Sequence, residues 1–255
     1  KEKEKMSVLV IGAGPKLGTA LGAKIGKGLG LTAVLCRRGQ RGGAKEEMEN
    51  SLTHLRGLGV KAEGRYCDAR DEEQIKNLVE DVETNVGPIE VLVHNVGANI
   101  GYVPLSETSS RVYRKVWEMC CYSGFLACRE VANRMKTRKQ GCIIVTGATA
   151  SHRAQAGYSA FASAKAALRA TVESCAREYA PEGVHVAHVV IDGGVAGTPI
   201  IQEALGDDYE RMRKEKRLVE PESVAEHYLH IAQQPRDSWT FESTLRPFAE
   251  PFGRL

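Results

Sequence analysis

The chain has 255 residues, enough to bury a sizeable core without disulfides or a structural metal, and one compact domain is the default. Its 42% hydrophobic and 26% charged residues exclude disordered, collagen-like, coiled-coil and mucin-like classes. A net charge of +3, with acids and bases interspersed, points to a small-molecule partner rather than nucleic acid. No run approaches the roughly 18 apolar residues of a membrane span, so no membrane partner is expected. The Lys-Glu-Lys-Glu-Lys start lacks the apolar core of a signal peptide, and a cytoplasmic location is expected. The seven cysteines (36, 67, 120, 121, 128, 142 and 175) have no Cys-x-x-Cys spacing and read as reduced, small core residues, with no metal site.

Residues 1–6 are expected to be a disordered lead-in, and residues 7–255 read as a single domain. Ser7–Ile11 is a short apolar, β-branched run stopped by Gly12, suited to a strand buried on both faces. After a glycine-rich turn, Leu17, Leu21, Ile25 and Leu29 form the stripe of a helix packed on a sheet, ended by Gly28 and Gly30. Thr32–Cys36 follows as a strand, Ala44–Gly57 as a charged amphipathic helix, Val60–Cys67 as a strand and Asp71–Val86 as a helix. Ile89–Val93 is a strand, Ser109–Lys139 a long helix, Cys142–Thr146 a strand, Tyr158–Tyr179 a helix and Val184–Ile191 a strand. Unbroken alternation of strand and helix predicts right-handed crossovers, hence an α/β fold with a doubly wound parallel sheet. Beyond Ile191 come a glycine-rich loop (193–197), a charged helix at about 200–216, a helix over Pro221–Gln234 and a last strand near Phe241–Leu245.

Gly12-Ala13-Gly14-Pro15-Lys16-Leu17-Gly18 sits where the first strand becomes the first helix. Glycines there permit a tight turn and close backbone approach, and the helix N-terminus offers N–H groups to a pyrophosphate. A strand-to-helix turn without a ligand is the plainer alternative. At the end of the second strand, Cys36-Arg37-Arg38 is basic where NAD-binding proteins usually carry an acid for the ribose 2′-hydroxyl. Arginine forks match a 2′-phosphate, so NADP is favoured and NAD remains possible, the alternative being two solvated loop arginines.

Further motifs follow in order. Asp68 closes the third strand, His94-Asn95-Val96-Gly97 follows the fourth, and Phe161-Ala-Ser-Ala-Lys165-Ala-Ala-Leu168 opens the helix after the fifth. Glu178–Val186 leads from that helix into the sixth strand, and Asp192-Gly193 follows it. Together with the turn, these residues resemble the short-chain dehydrogenase/reductase family from about Met6 to Gly197. The resemblance implies a Rossmann-type fold, with Gly12, Gly14, Lys16, Leu17, Gly18, Asn95 and Gly97 along the cofactor. It also implies Asp68 on adenine and Lys165 on the nicotinamide ribose. Family habit adds a homodimer or homotetramer, in which the long helix and the Tyr158–Tyr179 helix pair between subunits.

The departures bear on chemistry. Phe161 stands where the family carries its tyrosine, Ala148 where it carries a serine, and Cys121 where an asparagine is usual, while Lys16 replaces the middle glycine of the turn. A phenyl ring transfers no proton, and general acid catalysis contributes about 10²–10⁴ in rate. Tyr158, seven residues before Lys165, gives a Tyr-x6-Lys spacing that resembles the divergent enoyl reductases of this superfamily, as does Lys16-Leu17 in the turn. On a helix, seven residues set Tyr158 and Lys165 on nearly one face, about 10.5 Å apart along the axis. The plainer readings are a helix-start aromatic for Tyr158 and a lysine snorkelling from an apolar stripe for Lys165.

The sequence therefore predicts an NADP(H)-dependent oxidoreductase that transfers hydride to a small apolar carbonyl or enoyl substrate. Lys165 and Tyr158 are its catalytic candidates, and the substrate loop spans about 193–220. The rival is a catalytically inactive dinucleotide-binding protein acting as a sensor or subunit.

Overall fold

Short runs of β-branched and apolar residues can be buried on both faces only if helices cover both sides of their sheet. That arrangement is found in the computed structural model, which describes residues 6–39 and 42–249. Strands β1 (Ser7–Ile11), β2 (Thr32–Arg37), β3 (Ala62–Tyr66), β4 (Ile89–His94), β5 (Cys142–Ala148), β6 (His185–Ile191) and β7 (Glu242–Leu245) form one sheet, ordered β3-β2-β1-β4-β5-β6-β7. Every pairing is parallel. The sheet is thus the doubly wound, Rossmann-type arrangement.

Residues of alternate parity feed two cores. Val8, Val10, Ala33 and Leu35 pack under α1 (Leu17–Leu29), α2 (Ala44–Gly57) and α9 (Pro221–Ala232). Leu9, Ile11, Val34 and Cys36 pack under α3 (Glu72–Asp81), α5 (Ser123–Arg138) and α6 (Ser159–Tyr179). Leu21 and Ile25 of α1 are fully buried, each contributing about 1.5–3 kcal/mol through removal from water. Because β1 pairs with both β2 and β4, strand order reverses at β1, and the loops leaving β1 and β4 open a crevice at the carboxyl end of the sheet.

Several boundaries differ from expectation for local reasons. Met6, placed in the lead-in by the sequence, is tied to β2, its carbonyl accepting from the Thr32 N–H at 3.0 Å; residues 1–5 lie outside the described residues. Helix α3 starts one residue late because Asp71 caps it, its carboxylate accepting from the Gln74 N–H at 3.1 Å. The long helix is α4 (Ser110–Trp117) and α5 joined through a π turn over Glu118–Tyr122. The charged helix after β6 divides into α7 (Pro199–Leu205) and α8 (Tyr209–Lys214) at Gly206, whose φ of 49° and ψ of −125° suit glycine alone. Among the described residues no helix is long and apolar enough to cross a membrane. None of their His, Cys, Asp and Glu side chains cluster in a way that could hold a metal ion. All seven cysteines are free thiols.

Candidate active site

The turn between β1 and α1 is held against the loop after β4. A side chain at Gly12, whose φ is +85°, would bring its Cβ to 2.6 Å from the Asn95 carbonyl oxygen, so only glycine allows this approach. A Cβ at Gly18 would meet Ala13 Cα at 2.5 Å, and this closeness lets the start of α1 sit on the turn. Gly14 faces open space, with no atom within 4 Å of where a Cβ would stand. It edges a cleft of about 600 Å³ whose walls include Gly12, Gly14, Arg37, Arg38, Asp68, Asn95 and Gly97. Lys16, Leu17 and Gly18 lie outside that lining: Leu17 is buried in the core under α1, and the Lys16 stem runs across Gly197 in the loop after β6.

Three side chains the sequence reading passed over, Glu47, Arg70 and Met119, also line the cleft. The Arg37 Nη2 forms an ion pair with Glu47 from the first turn of α2, while its Nη1 is buried without a hydrogen-bond partner. Arg38 is exposed. Asp68 is clasped by Arg70, which donates from Nε at 2.9 Å, Nη2 at 2.5 Å and its backbone N–H at 3.1 Å. That contact holds the Asp68 carboxyl below the usual carboxylate range. At the floor the Cys36 and Cys67 thiols share a hydrogen bond, which with burial pushes the Cys36 thiol up.

Beside this cleft a polar chain ties the sheet ends together. Asn95 Nδ2 donates to the Gly12 carbonyl at 3.2 Å and Asn95 Oδ1 accepts from Thr146 Oγ1 at 3.0 Å. Thr146 Oγ1 in turn lies 2.9 Å from the buried Tyr228 hydroxyl, which donates to it. The Thr146 carbonyl accepts from Lys165 Nζ at 2.8 Å, and the Val96 carbonyl accepts from it at 3.3 Å. Lys165 is only 3% exposed. Its ammonium does not snorkel; it is aimed at the carboxyl ends of β4 and β5, and burial lowers its pKa.

The thiol in the field of Lys165 is Cys120, packed with Val116, Ala160 and Ala164 and flanked by Phe161 and Ala98. Cys121, the position read from sequence, turns away and stands 3.9 Å from Thr171 Oγ1. The π turn over Glu118–Tyr122, just before Ser123, sets the phase of this stretch. His94 is fully buried, with Nε2 at 2.9 Å from Ser123 Oγ, while the Ser123 hydroxyl itself donates to the Met119 carbonyl at 2.6 Å. The Nε2 therefore carries the proton and Nδ1 is a buried acceptor without a partner. Burial, followed by the Lys165 charge, depresses the His94 pKa to about 3.

Hydroxyls near the missing family positions are mostly occupied. Ser151 Oγ accepts from the Ala148 N–H at 3.2 Å, and Thr149 donates to Asp192 at 2.5 Å. Tyr158 is the N-cap of α6 rather than its first helical residue, with φ −120° and ψ 23°. The helical extrapolation from Tyr158 to Lys165 therefore fails at its first residue, because Gly157 at φ +79° turns the chain just before α6. The Tyr158 ring meets Tyr102 edge-on at 6.3 Å between centroids.

The arrangement can seat a dinucleotide. The open edge at Gly14, the unpartnered Arg37 Nη1 and the exposed Arg38 suit an anionic ligand, and the backbone turn at the start of α1 suits a pyrophosphate.

The family model for short chain dehydrogenases matches residues 6–208. A 2-dehydro-3-deoxy-D-gluconate 5-dehydrogenase of Formosa agariphila is 28% identical over 65% of this chain, a stretch spanning 62% of that protein. A short-chain dehydrogenase structure from Rhodopseudomonas palustris is 37% identical with a TM-score of 0.79, covering 95% of this chain and 99% of that one. A single-substitution variant of the actinorhodin polyketide ketoreductase, solved with NADPH, is 25% identical with a TM-score of 0.82 and 96% coverage of both chains. With its sheet order, its glycine turn and the buried lysine on α6, this chain belongs to the short-chain dehydrogenase family.

Proposed function

We propose that the protein is an NADP(H)-dependent oxidoreductase acting on a small, largely apolar carbonyl or enoyl substrate. The observation that carries the reading is Lys165, a buried ammonium aimed at the strand ends beside a phosphate-suited cleft. A nicotinamide dinucleotide, when bound, supplies or accepts the hydride. Gly12, Gly14 and the backbone at the start of α1 would hold its pyrophosphate, Arg37 and Arg38 a 2′-phosphate, and Asp68 with Asn95 and Gly97 the adenosine side. Lys16, Leu17 and Gly18 would contribute through backbone position. Lys165 would hydrogen-bond the nicotinamide ribose hydroxyls with the proton not used on the two carbonyls.

Reduction leaves an alkoxide or enolate that needs one proton. Phe161 has none to give and the Thr149 proton goes to Asp192, while Ser151 Oγ accepts from the Ala148 N–H and keeps its own proton. Tyr158, at the mouth of α6, is the acid we assign. Ile100, Tyr102 and Leu105, all exposed between β4 and α4, offer apolar surface nearby. The related ketoreductase bound to NADPH supports the choice of cofactor. The reading as a silent sensor rests on Phe161, Ala148 and Cys121 together, and the relatives described above, named as dehydrogenases and a ketoreductase, do not favour it.

The proposed subunit contact is the α4–α5 face, where Trp117, Tyr122 and Phe125 stack at 6.2 and 6.1 Å. Screening ketones, quinones and enoyl thioesters for NADPH oxidation tests the assignment. Turnover of at least one class is expected; binding of NADPH without turnover of any class would refute the enzymatic reading.

A further inference from the structure

We infer that Glu47 is a cofactor-specificity residue: it is a built-in counter-anion to Arg37 that competes with the 2′-phosphate of NADP(H) and offers an acceptor to the 2′-hydroxyl of NAD(H). The inference rests on the dinucleotide reading above and deepens it. Two adjacent arginines at the end of β2 would by themselves make a strongly NADP-selective site. The structure does not leave both available. Glu47 lines the same cleft as Arg37, Arg38 and Gly14, and its carboxylate is paired with Arg37 Nη2. The pair is shielded, with the Arg37 side chain 11% and Glu47 31% exposed, so solvent screens it less than a surface bridge.

The backbone that carries Glu47 is tied down. The Ser51 hydroxyl donates to the Glu47 carbonyl at 2.9 Å, and Ser51 Oγ lies 2.9 Å from Thr19 Oγ1. The Thr19 hydroxyl is also 3.1 Å from the Gly14 carbonyl. With Thr19 donating its hydroxyl to Ser51 and its backbone N–H to the Gly14 carbonyl at 3.1 Å, this chain of bonds fixes the first turn of α2 to the phosphate turn and sets the backbone of Glu47 in register with it.

The division of labour follows from charge. An incoming dianionic phosphate meets Arg37, which Glu47 compensates and whose Nη1 is still without a partner, and the exposed Arg38, whose charge also acts on Asp68. A 2′-hydroxyl meets a carboxylate that can accept from it. One cleft can thus take both dinucleotides, with a narrower preference for NADP(H) than its two arginines suggest.

The test is to titrate NADPH and NADH separately into the wild-type protein and the Glu47→Gln variant. Glutamine keeps size and helical fit while removing the charge, and Glu47→Ala serves as a second variant if the first melts early. The ratio of NADH to NADPH dissociation constants should rise roughly tenfold, the scale of one charge-assisted contact. NADPH should bind more tightly and NADH should lose affinity. An unchanged ratio, with both dinucleotides still binding, would overturn the role of Glu47 and leave the cofactor reading standing. A wild-type protein that binds neither dinucleotide would overturn both.

Discussion

Replacing Lys165 with methionine separates a functional lysine from a structural pin. The side chain is buried, and its ammonium makes two hydrogen bonds to the carbonyls of Thr146 and Val96. Hydrogen bonds from a charged donor contribute about 1.5–3 kcal/mol each, or about 3–6 kcal/mol for two. Against them stands the desolvation of the ammonium, which costs several kcal/mol even after relaxation. The terms nearly cancel, and methionine fills the same channel with an adaptable apolar chain. Lys165→Met is therefore expected to change unfolding free energy by less than about 2 kcal/mol in either direction. The pH dependence carries a signature. Burial lowers the folded pKa below the unfolded value of about 10.4, so wild-type stability rises as pH climbs between the two, and the variant lacks that rise. Dinucleotide affinity should meanwhile fall tenfold or more, because the ribose loses its donor. Urea denaturation at several pH values and fluorescence titration of NADPH measure both. A variant destabilised by more than about 4 kcal/mol that binds NADPH as tightly as the wild type would refute the reasoning.

Tyr158→Phe should lower turnover by about 10²–10⁴ while leaving NADPH affinity within about twofold, since the proton is needed only in the transition state; unchanged turnover would eliminate Tyr158 as the acid. Acid should destabilise the fold early through two buried imidazoles, with pKa values depressed to about 3 for His94 and about 4 for His188, burial being the larger cause in each. Between pH 6.5 and 5.5 the unfolded chain binds their protons and the native one does not, so stability falls with pH by about 1 kcal/mol per histidine; denaturant titration of His94→Gln should recover one such share, and an identical pH slope in the variant would contradict this. Light scattering should give a multiple of the 27.8 kDa chain, reduced by Trp117→Glu plus Phe125→Glu, whereas a wild-type particle of one chain mass at micromolar concentration would contradict the subunit contact.

The layered fold was legible because each strand run is short, apolar and stopped by a turn residue, and because stripes such as Leu17, Leu21 and Ile25 have only one face to bury. The cleft was legible in part. Gly12, Arg37, Asp68 and Asn95 stand at strand ends, where the parallel topology must gather them. What was hidden was long-range or depended on phase. Glu47 lies ten residues beyond Arg37 in sequence and reaches it only because α2 folds back along β2. Its one local sign was a carboxylate in the first turn of a helix that follows a basic strand end. Cys120 rather than Cys121 faces Lys165 because a π turn shifts the helix by one residue, and such turns leave no periodic trace. Tyr158 fell outside the helix because a glycine with positive φ precedes it, a boundary that the apolar stripe of α6 does not mark.

The most direct test of the central claim is a crystal structure of the protein with NADPH bound. The account predicts the pyrophosphate at the Gly12–Gly18 turn, the 2′-phosphate on Arg38, a ribose hydroxyl bonded to Lys165 Nζ, and the Tyr158 hydroxyl facing the nicotinamide. A bound dinucleotide that leaves Lys165 donating only to Val96 and Thr146, with Tyr158 still packed on Tyr102 away from the ring, would contradict it.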